Sequence, residues 1–288
     1  MNTKKCLICK RSNDTIHYHK DPDTGSLWLW CNGKCQRGYG LREYCHIAGV
    51  DFAEFLKGDF DFNEAPPNEV TRLEWPNHYI PLSDPRAEEG IEYVKSRGLD
   101  PKGDMYYDLK GRSIVFPYYY GGTFVGAQTR LLNPWINEDG DEVKILTLPG
   151  SRLGLLFYGW NQDPFITNVK GLIVCEGAFN VLALQQSLDK MYGGVLKNPW
   201  KAVATSGCGT TSHQLEKIKE LKEAGIKIVV AFDSDEPGLK GLKKFVKEEA
   251  ATHYALVDDT ELDWNDKLKK LGHEGLAKYF MSRIKSIK

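Results

Sequence analysis

No stretch of the chain approaches the ~18 continuous apolar residues that a membrane-spanning helix needs, and Met1 to Lys10 lacks the apolar run of a secretory signal. No membrane partner is expected, and the expected setting is the cytoplasm of a cell or of an infected host. Charge of one sign is missing too. The 38 Lys and Arg against 39 Asp and Glu leave a formal charge of -1, so bulk charge neither requires nor excludes nucleic acid and only local clusters inform. A disulfide framework is absent as well. Of 7 cysteines, Cys6, Cys9, Cys31 and Cys35 crowd the N-terminus, Cys45 lies just beyond, and Cys175 and Cys208 stand alone later. An odd number so distributed indicates a reducing compartment.

With 288 residues, 41% hydrophobic and 27% charged, the chain has room for one sizeable domain and a small one. The small one comes first. CLIC supplies Cys6 and Cys9, and WLWCNGKC supplies Cys31 and Cys35. Two pairs about 20 residues apart suit a tetrahedral zinc, because each tight turn presents two thiolates and the strands between bring the turns together. Four thiolates close the shell, so the zinc is expected to be structural. A redox CxxC would account for Cys6 and Cys9 alone but not for the second pair. His17 and His19 are alternative ligands, or lie on an exposed hairpin. Trp28, Trp30, Tyr18 and Arg37 either stack on single-stranded bases or fill a core too small to stand without metal.

A short helix over Leu41 to Leu56 closes this module, and the acidic, Pro-paired, aperiodic residues 57–77 read as a linker. The expected domains are therefore 1–56, a linker 57–77 and 78–288, the last dividing into 78–170 and 171–288. Beyond the linker a helix is expected over Asp84 to Ser96, with Gly98 near its C-cap. GRSIVFPYYYGGTFVGAQTRLL then reads as two strands joined across Gly121-Gly122, where both turn positions accept positive φ.

The chain is organised around Leu172 to Asp235. LIVCEG and IVVAFDSD are short β-branched and apolar runs that end abruptly in acid, which places Glu176, Asp233 and Asp235 where buried strands emerge. Ligands of open α/β sheets bind at those carboxyl ends, and three acids meeting there repel one another unless a cation sits between them. A hard divalent ion that holds phosphates, Mg²⁺ or Mn²⁺, is the expected occupant. Between the two runs lie a helix with apolar Val181, Leu184 and Leu188, a strand at Lys201 to Thr205, and the Gly-rich SGCGTTS. That loop opens another helix and either touches phosphate or makes a tight turn. A strand from His253 to Val257 leads to ELDWNDKL, with Asp263 and Asp266.

A Glu-Gly turn after one strand and an Asp-x-Asp after a later one resemble the TOPRIM domain of topoisomerases and primases. Arg112 with SIVFP, Gly126 with Arg130, and Lys144 with IL resemble, in that order, the region that precedes TOPRIM in bacterial-type replicative primases. With the zinc ribbon, the resemblance covers nearly the whole chain, and it is similar to the primase half of the primase-helicases of short-tailed phages. It implies an α/β TOPRIM fold with a parallel sheet and helices on both faces, a preceding basic α+β subdomain and a small all-β zinc ribbon. It implies a DNA primase: a nucleotidyltransferase that makes RNA primers on single-stranded DNA from ribonucleoside triphosphates, with Glu176, Asp233 and Asp235 holding Mg²⁺. Arg112, Arg130 and Lys144 are implied to hold template and nucleotide, and Asp263 and Asp266 match the last acidic motif, although Asp266 reads equally as a helix N-cap. Where the family commonly has Asp four residues after the Glu, this chain has Asn180, whose amide oxygen can still ligate a cation but subtracts one negative charge. No GxxxxGK[ST] loop is present, so a helicase is expected to be a separate partner, alongside a DNA polymerase. The rival readings are a TOPRIM nuclease and a non-catalytic zinc-ribbon recombination mediator. A topoisomerase would need a tyrosine-bearing domain for which there is no room.

Overall fold

The computed structural model describes residues 6–9, 16–20, 27–31, 37–57, 70–137, 140, 142–160, 169–207, 209–258 and 262–287. The chain divides into two compact units, Met1–Glu69 and Val70–Lys288.

In the first unit, strands β1 (Ile16–Lys20), β2 (Leu27–Cys31) and β3 (Arg37–Gly40) form an antiparallel sheet in the order β1-β2-β3. Alternation along β2 sends Leu29 and Cys31 inward while Trp28 and Trp30 stay partly exposed. The core is aromatic and small: Tyr18, Tyr39, Tyr44 and Phe55 pack with Leu29, Leu41 and Cys45. One helix was expected over Leu41 to Leu56, but there are two, α1 (Leu41–Ala48) and α2 (Phe52–Phe55). Gly49 takes a left-handed φ of 66° that ends α1, and the Asp51 carboxylate accepts from Glu54 N to start α2. The module is thus a three-stranded sheet extended by two short helices.

The second unit begins earlier than expected. Trp75, placed by the sequence in the linker, packs edge-on against Tyr106 at 4.6 Å and Phe124 at 4.8 Å, and its indole N–H donates to Tyr79 O. Leu73 N donates to Phe124 O. Prolines hid this anchor, because a single half-buried aromatic has no period to betray it. Strands β4 (Tyr79–Pro81), β5 (Tyr106–Asp108), β6 (Ser113–Tyr120), β7 (Thr123–Ile136) and β8 (Glu142–Thr147) follow as one antiparallel sheet in sequential order, with α3 (Glu88–Ser96) between β4 and β5. Gly121 and Gly122, with φ of 54° and 77°, close the β6-β7 hairpin.

The next sheet is built from β9 (Gly171–Cys175), β10 (Trp200–Ala204), β11 (Lys227–Val230), β12 (His253–Tyr254) and β13 (Lys285–Ser286), separated by α4 (Ala178–Met191), α5 (Ser212–Glu223), α6 (Glu236–Lys247) and α7 (Trp264–Arg283). The order is β10-β9-β11-β12-β13, parallel except for β13. The expected strand from His253 to Val257 is only two residues long. Along β9 the fully buried side chains alternate between two cores. Ile173 and Cys175 pack with Leu184, Leu188, Leu276 and Phe280 from α4 and α7, whereas Leu172 and Val174 pack with Leu215, Ile218 and Phe245 from α5 and α6. Helices therefore cover both faces, which is why these strands read as continuous apolar runs. Phe116 of β6 meets Tyr158 at 5.4 Å and Phe179 at 5.2 Å, joining the two sheets through one core.

Candidate active site

Strands β9 and β11 are parallel neighbours at the centre of the sheet. Their carboxyl ends are therefore adjacent; Glu176 follows β9 directly, and Asp233 follows β11 after Ala231 and Phe232. Asp233 N donates to Glu176 Oε1 at 3.2 Å, so the two acidic loops are tied together. Burial pushes the Glu176 carboxyl up from its ordinary range, and the charge of Asp235 adds to this. Asp233 is pushed up to about 7 by burial and then by Glu176, Asp263 and Asp235, against a lowering by the Asn180 amide. The Asp263 carboxyl is also raised, chiefly by burial. Glu176, Asp233 and Asp263 are half-buried and Asp235 is exposed, and together they form a hard, anionic donor set in which only an amide, that of Asn180, counters the rise at Asp233. A divalent cation fits that set.

Each acid is nonetheless held separately. Asp235 is the N-cap of α6, its Oδ1 accepting from Gly238 N at 2.8 Å. Asn180 is buried, donates through Nδ2 to Asp233 Oδ1 at 2.9 Å, and accepts through Oδ1 from Asn265 N at 3.2 Å. Both ends of this amide are spent on orienting Asp233 and anchoring the start of α7. Asp263 caps α7 by accepting from Asp266 N at 2.7 Å, while Asp266 pairs with Lys269 at 2.8 Å. Asp263 thus faces the acidic centre, and Asp266 occupies the first turn of the helix.

Three residues that the sequence reading passed over support this site. A Cβ on Gly238 would stand 2.1 Å from Asp233 O and 2.7 Å from Glu176 Oε1, so only glycine lets α6 approach the acids. Its place just after Asp-Ser-Asp-Glu-Pro is the one signal that pointed to it. Asn265 is fully buried; its Nδ2 donates to Arg97 O at 2.8 Å while its Oδ1 has no partner among the described residues. Arg97 lies over the Phe179 ring at 4.7 Å, and its charge draws Asp263 back down. In the glycine loop Gly207 N donates to Glu176 O at 3.0 Å, and Thr211 caps α5 with a capping box. Cys208 lies outside the described residues.

The basic residues are placed on the antiparallel sheet. Arg112 has a left-handed φ of 44° and is clamped by Glu89, whose carboxylate also accepts from Tyr107 Oη at 2.6 Å. These two donors hold Glu89 below its ordinary range. Arg130 pairs in register with Ile114 and Ile145, so Lys144, one residue from Ile145, alternates to the other face. Lys144 pairs with Glu142 at 2.7 Å. Arg112 lies in the turn before β6, with its carbonyl accepting from Leu132 N, two positions along β7 from Arg130, and Lys144 is one position off the register of Arg130 on β8.

In the first unit, Cys6, Cys9 and Cys31 gather their sulfurs within 4.8 Å of one another, the sole such cluster of metal-binding groups among the described residues. The 3.7 Å between the Cys9 and Cys31 sulfurs is far beyond a disulfide, yet it matches the ~3.8 Å edge of a tetrahedron of thiolates around zinc. Leu7 N donates to Tyr44 Oη at 2.7 Å, docking the Cys6-Cys9 knuckle on α1. Cys35 and the side chains of His17, His19 and Arg37 lie outside the described residues.

Residues 173–268 match a family described as Toprim-like. No curated protein matches the chain in sequence. Among solved structures it is similar to the RNA polymerase domain of the Mycobacterium tuberculosis primase DnaG in complex with a double-stranded DNA oligomer bearing a 6-nucleotide overhang, at 18% identity over 71% of this chain and 76% of that one, TM-score 0.53. It is similar to the zinc-binding and RNA polymerase domains of the Aquifex aeolicus primase, at 20% identity over 96% of this chain and 81% of that one, TM-score 0.50. A DnaG primase catalytic domain bound to ssDNA is matched at 19% identity over 72% of this chain and 75% of that one, TM-score 0.50. The chain therefore carries a Toprim-like domain within the fold of a DnaG primase catalytic core.

Proposed function

We propose that the chain is a DNA primase, a nucleotidyltransferase that makes RNA primers on single-stranded DNA from ribonucleoside triphosphates during replication. The observation that carries this reading is the coupling of Glu176 and Asp233 at adjacent strand ends, with Asp233 lifted to about 7 by burial and neighbouring acids. Glu176, Asp233 and Asp235, with Asp263 behind them, would hold Mg²⁺ or Mn²⁺. Bound there, the ion would offset charge on the triphosphate and on the departing pyrophosphate. Asn180 keeps Asp233 turned toward the site, and Gly238 lets the amino end of α6 close on it. In the reaction a 3′-hydroxyl attacks the α-phosphate, the new P–O bond forms as the bond to pyrophosphate breaks, and the hydroxyl proton passes to solvent water. Arg112 and Arg130 would grip phosphates of template or nucleotide, and Lys144 would add a point charge.

Cys6, Cys9 and Cys31, completed by Cys35, would hold one structural zinc in a module that reads the template. A separate helicase and DNA polymerase are the proposed partners. A gel assay with single-stranded template, ribonucleotides and Mg²⁺, run beside one with labelled DNA alone, tests the reading. Short RNA products from the first reaction and intact DNA in the second are expected. Cleaved DNA without primers identifies a nuclease, and neither product identifies a binding protein; both results overturn the proposal.

A further inference from the structure

Along α6 and the β12-β13 pair lies an open groove of about 880 Å³. Its apolar floor is made by Leu242, Val246, Tyr254 and Ile287. Val246 is 42% exposed, although α6 is otherwise a helix that buries Phe245 completely. Among the described residues the rim is of one sign: Lys243, Lys247 and Lys285 line the cavity and no carboxylate does. Among the described residues none of these three lysines takes part in an ion pair, whereas Lys217, Lys219, Lys267 and Lys269 all do. Lys243 and Lys247 are also four apart on one helix, where like charges repel. An occupant that brings carboxylates to this rim relieves that repulsion, and one that brings apolar side chains covers the exposed floor.

We infer that this groove is a docking site for an acidic peptide segment carrying bulky apolar side chains, supplied by a partner protein. A nucleic-acid backbone would satisfy the lysines but leave the floor of Leu242, Val246 and Ile287 in water. The volume falls within the about 300–1,000 Å³ of concave sites that enclose a ligand, enough for one or two large side chains. The mode is that of side-chain anchors seated in a groove with charges fixing their register. This inference is independent of the chemistry assigned to Glu176 and Asp233, because α6 offers its amino end to the acids and its last turns to the groove.

The test is fluorescence polarisation with the intact, zinc-loaded chain. The probes are labelled short peptides in which Leu and Phe are set among Asp and Glu, counterparts with Lys for the acids, counterparts with Ser for the apolar residues, and a labelled oligothymidylate. Acidic-apolar peptides are expected to bind, and Lys243→Glu with Lys247→Glu should weaken them about tenfold or more. Val246→Asp should weaken them comparably while leaving oligothymidylate binding unchanged. The substituted positions, Lys243, Val246 and Lys247, are all exposed, and unchanged melting of each variant certifies the fold. The inference is overturned if no acidic-apolar peptide binds better than its Lys counterpart. It is equally overturned if the Ser counterparts bind as well, or if oligothymidylate is the ligand that responds to Val246→Asp.

Discussion

In the first unit three cysteine sulfurs already stand within 4.8 Å of one another, at the spacing of ligands on one ion. In the second, Glu176, Asp233 and Asp235 are each engaged by a different N–H, from Asp233, Asn180 and Gly238, and share no such shell. The difference is one of purpose. A closed thiolate shell suits an ion that never leaves and holds together a core of a few aromatics. Separately held carboxylates, two of which, Glu176 and Asp233, are lifted by burial and neighbouring acids, suit an ion that comes and goes with a charged substrate, in a domain that keeps its fold from two large apolar cores.

The largest expected effect breaks the first half of the comparison. Structural zinc contributes about 10–16 kcal/mol to modules of this kind. Cys9→Ser or chelation should therefore abolish protection of residues 1–69 in limited proteolysis while Val70–Lys288 stays resistant. A fragment starting at Val70 should melt like the second unit of the intact chain. One starting at Asn77 should melt lower, because it loses the half-buried Trp75 and its hydrogen bond to Tyr79 O, at a cost of about 0.5–3 kcal/mol; equal melting of the two fragments would return Trp75 to the linker.

Next is chemistry. Glu176→Gln or Asp233→Asn should reduce primer synthesis at least about a hundredfold with folding intact. Wild-type yield from either would remove these acids from the centre.

A subtler effect follows from Asp233. Its carboxyl titrates at about 7 when folded against 3.8 as the ordinary value, so the folded state binds the proton more tightly and metal-free stability falls as pH rises through 7. Asp233→Asn removes that loss. In EDTA the variant should exceed wild type by on the order of 2–4 kcal/mol at pH 8, and the gap should close toward pH 4. His253 and His273, whose lowered pKa makes stability fall with acid, are common to both proteins and cancel in the difference. A gap that does not vary with pH would contradict the burial and repulsion assigned to Asp233.

Asn180→Asp tests the same centre from the opposite side. It sets a carboxylate against Asp233 Oδ1, where an amide now donates at 2.9 Å. Metal-free melting should fall by about 1–3 kcal/mol, and the Mg²⁺ concentration for half-maximal activity should fall with it. An unchanged Mg²⁺ titration would make Asn180 an orienting residue only. The smallest effect is at Arg112, 59% exposed: Arg112→Gln should cost under about 1 kcal/mol despite the Glu89 clamp, yet reduce the salt dependence of template binding by about one ion.

Much of the second unit could be read in advance because its signals are local. Strands buried on both faces appear as LIVC and KIVVAF, and the acids mark where they emerge. Gly121-Gly122 announces its hairpin in the same way. What stayed hidden depends on contacts between distant segments. Asn180 reads as a missing carboxylate until Asn265, 85 positions away, is seen to use its oxygen. Trp75 looks like part of a proline-rich connection until Tyr106 and Phe124 fold around it. Gly238 carries no meaning until Asp233 O is found where a Cβ would lie.

If the two units handle metal differently, calorimetric titration of Mn²⁺ into the zinc-loaded chain, with zinc content measured before and after, separates them. Wild type should bind Mn²⁺, Asp233→Asn and Glu176→Gln should lose this binding, and zinc should be retained throughout. Mn²⁺ binding that survives both substitutions, or that displaces the zinc, would contradict this difference.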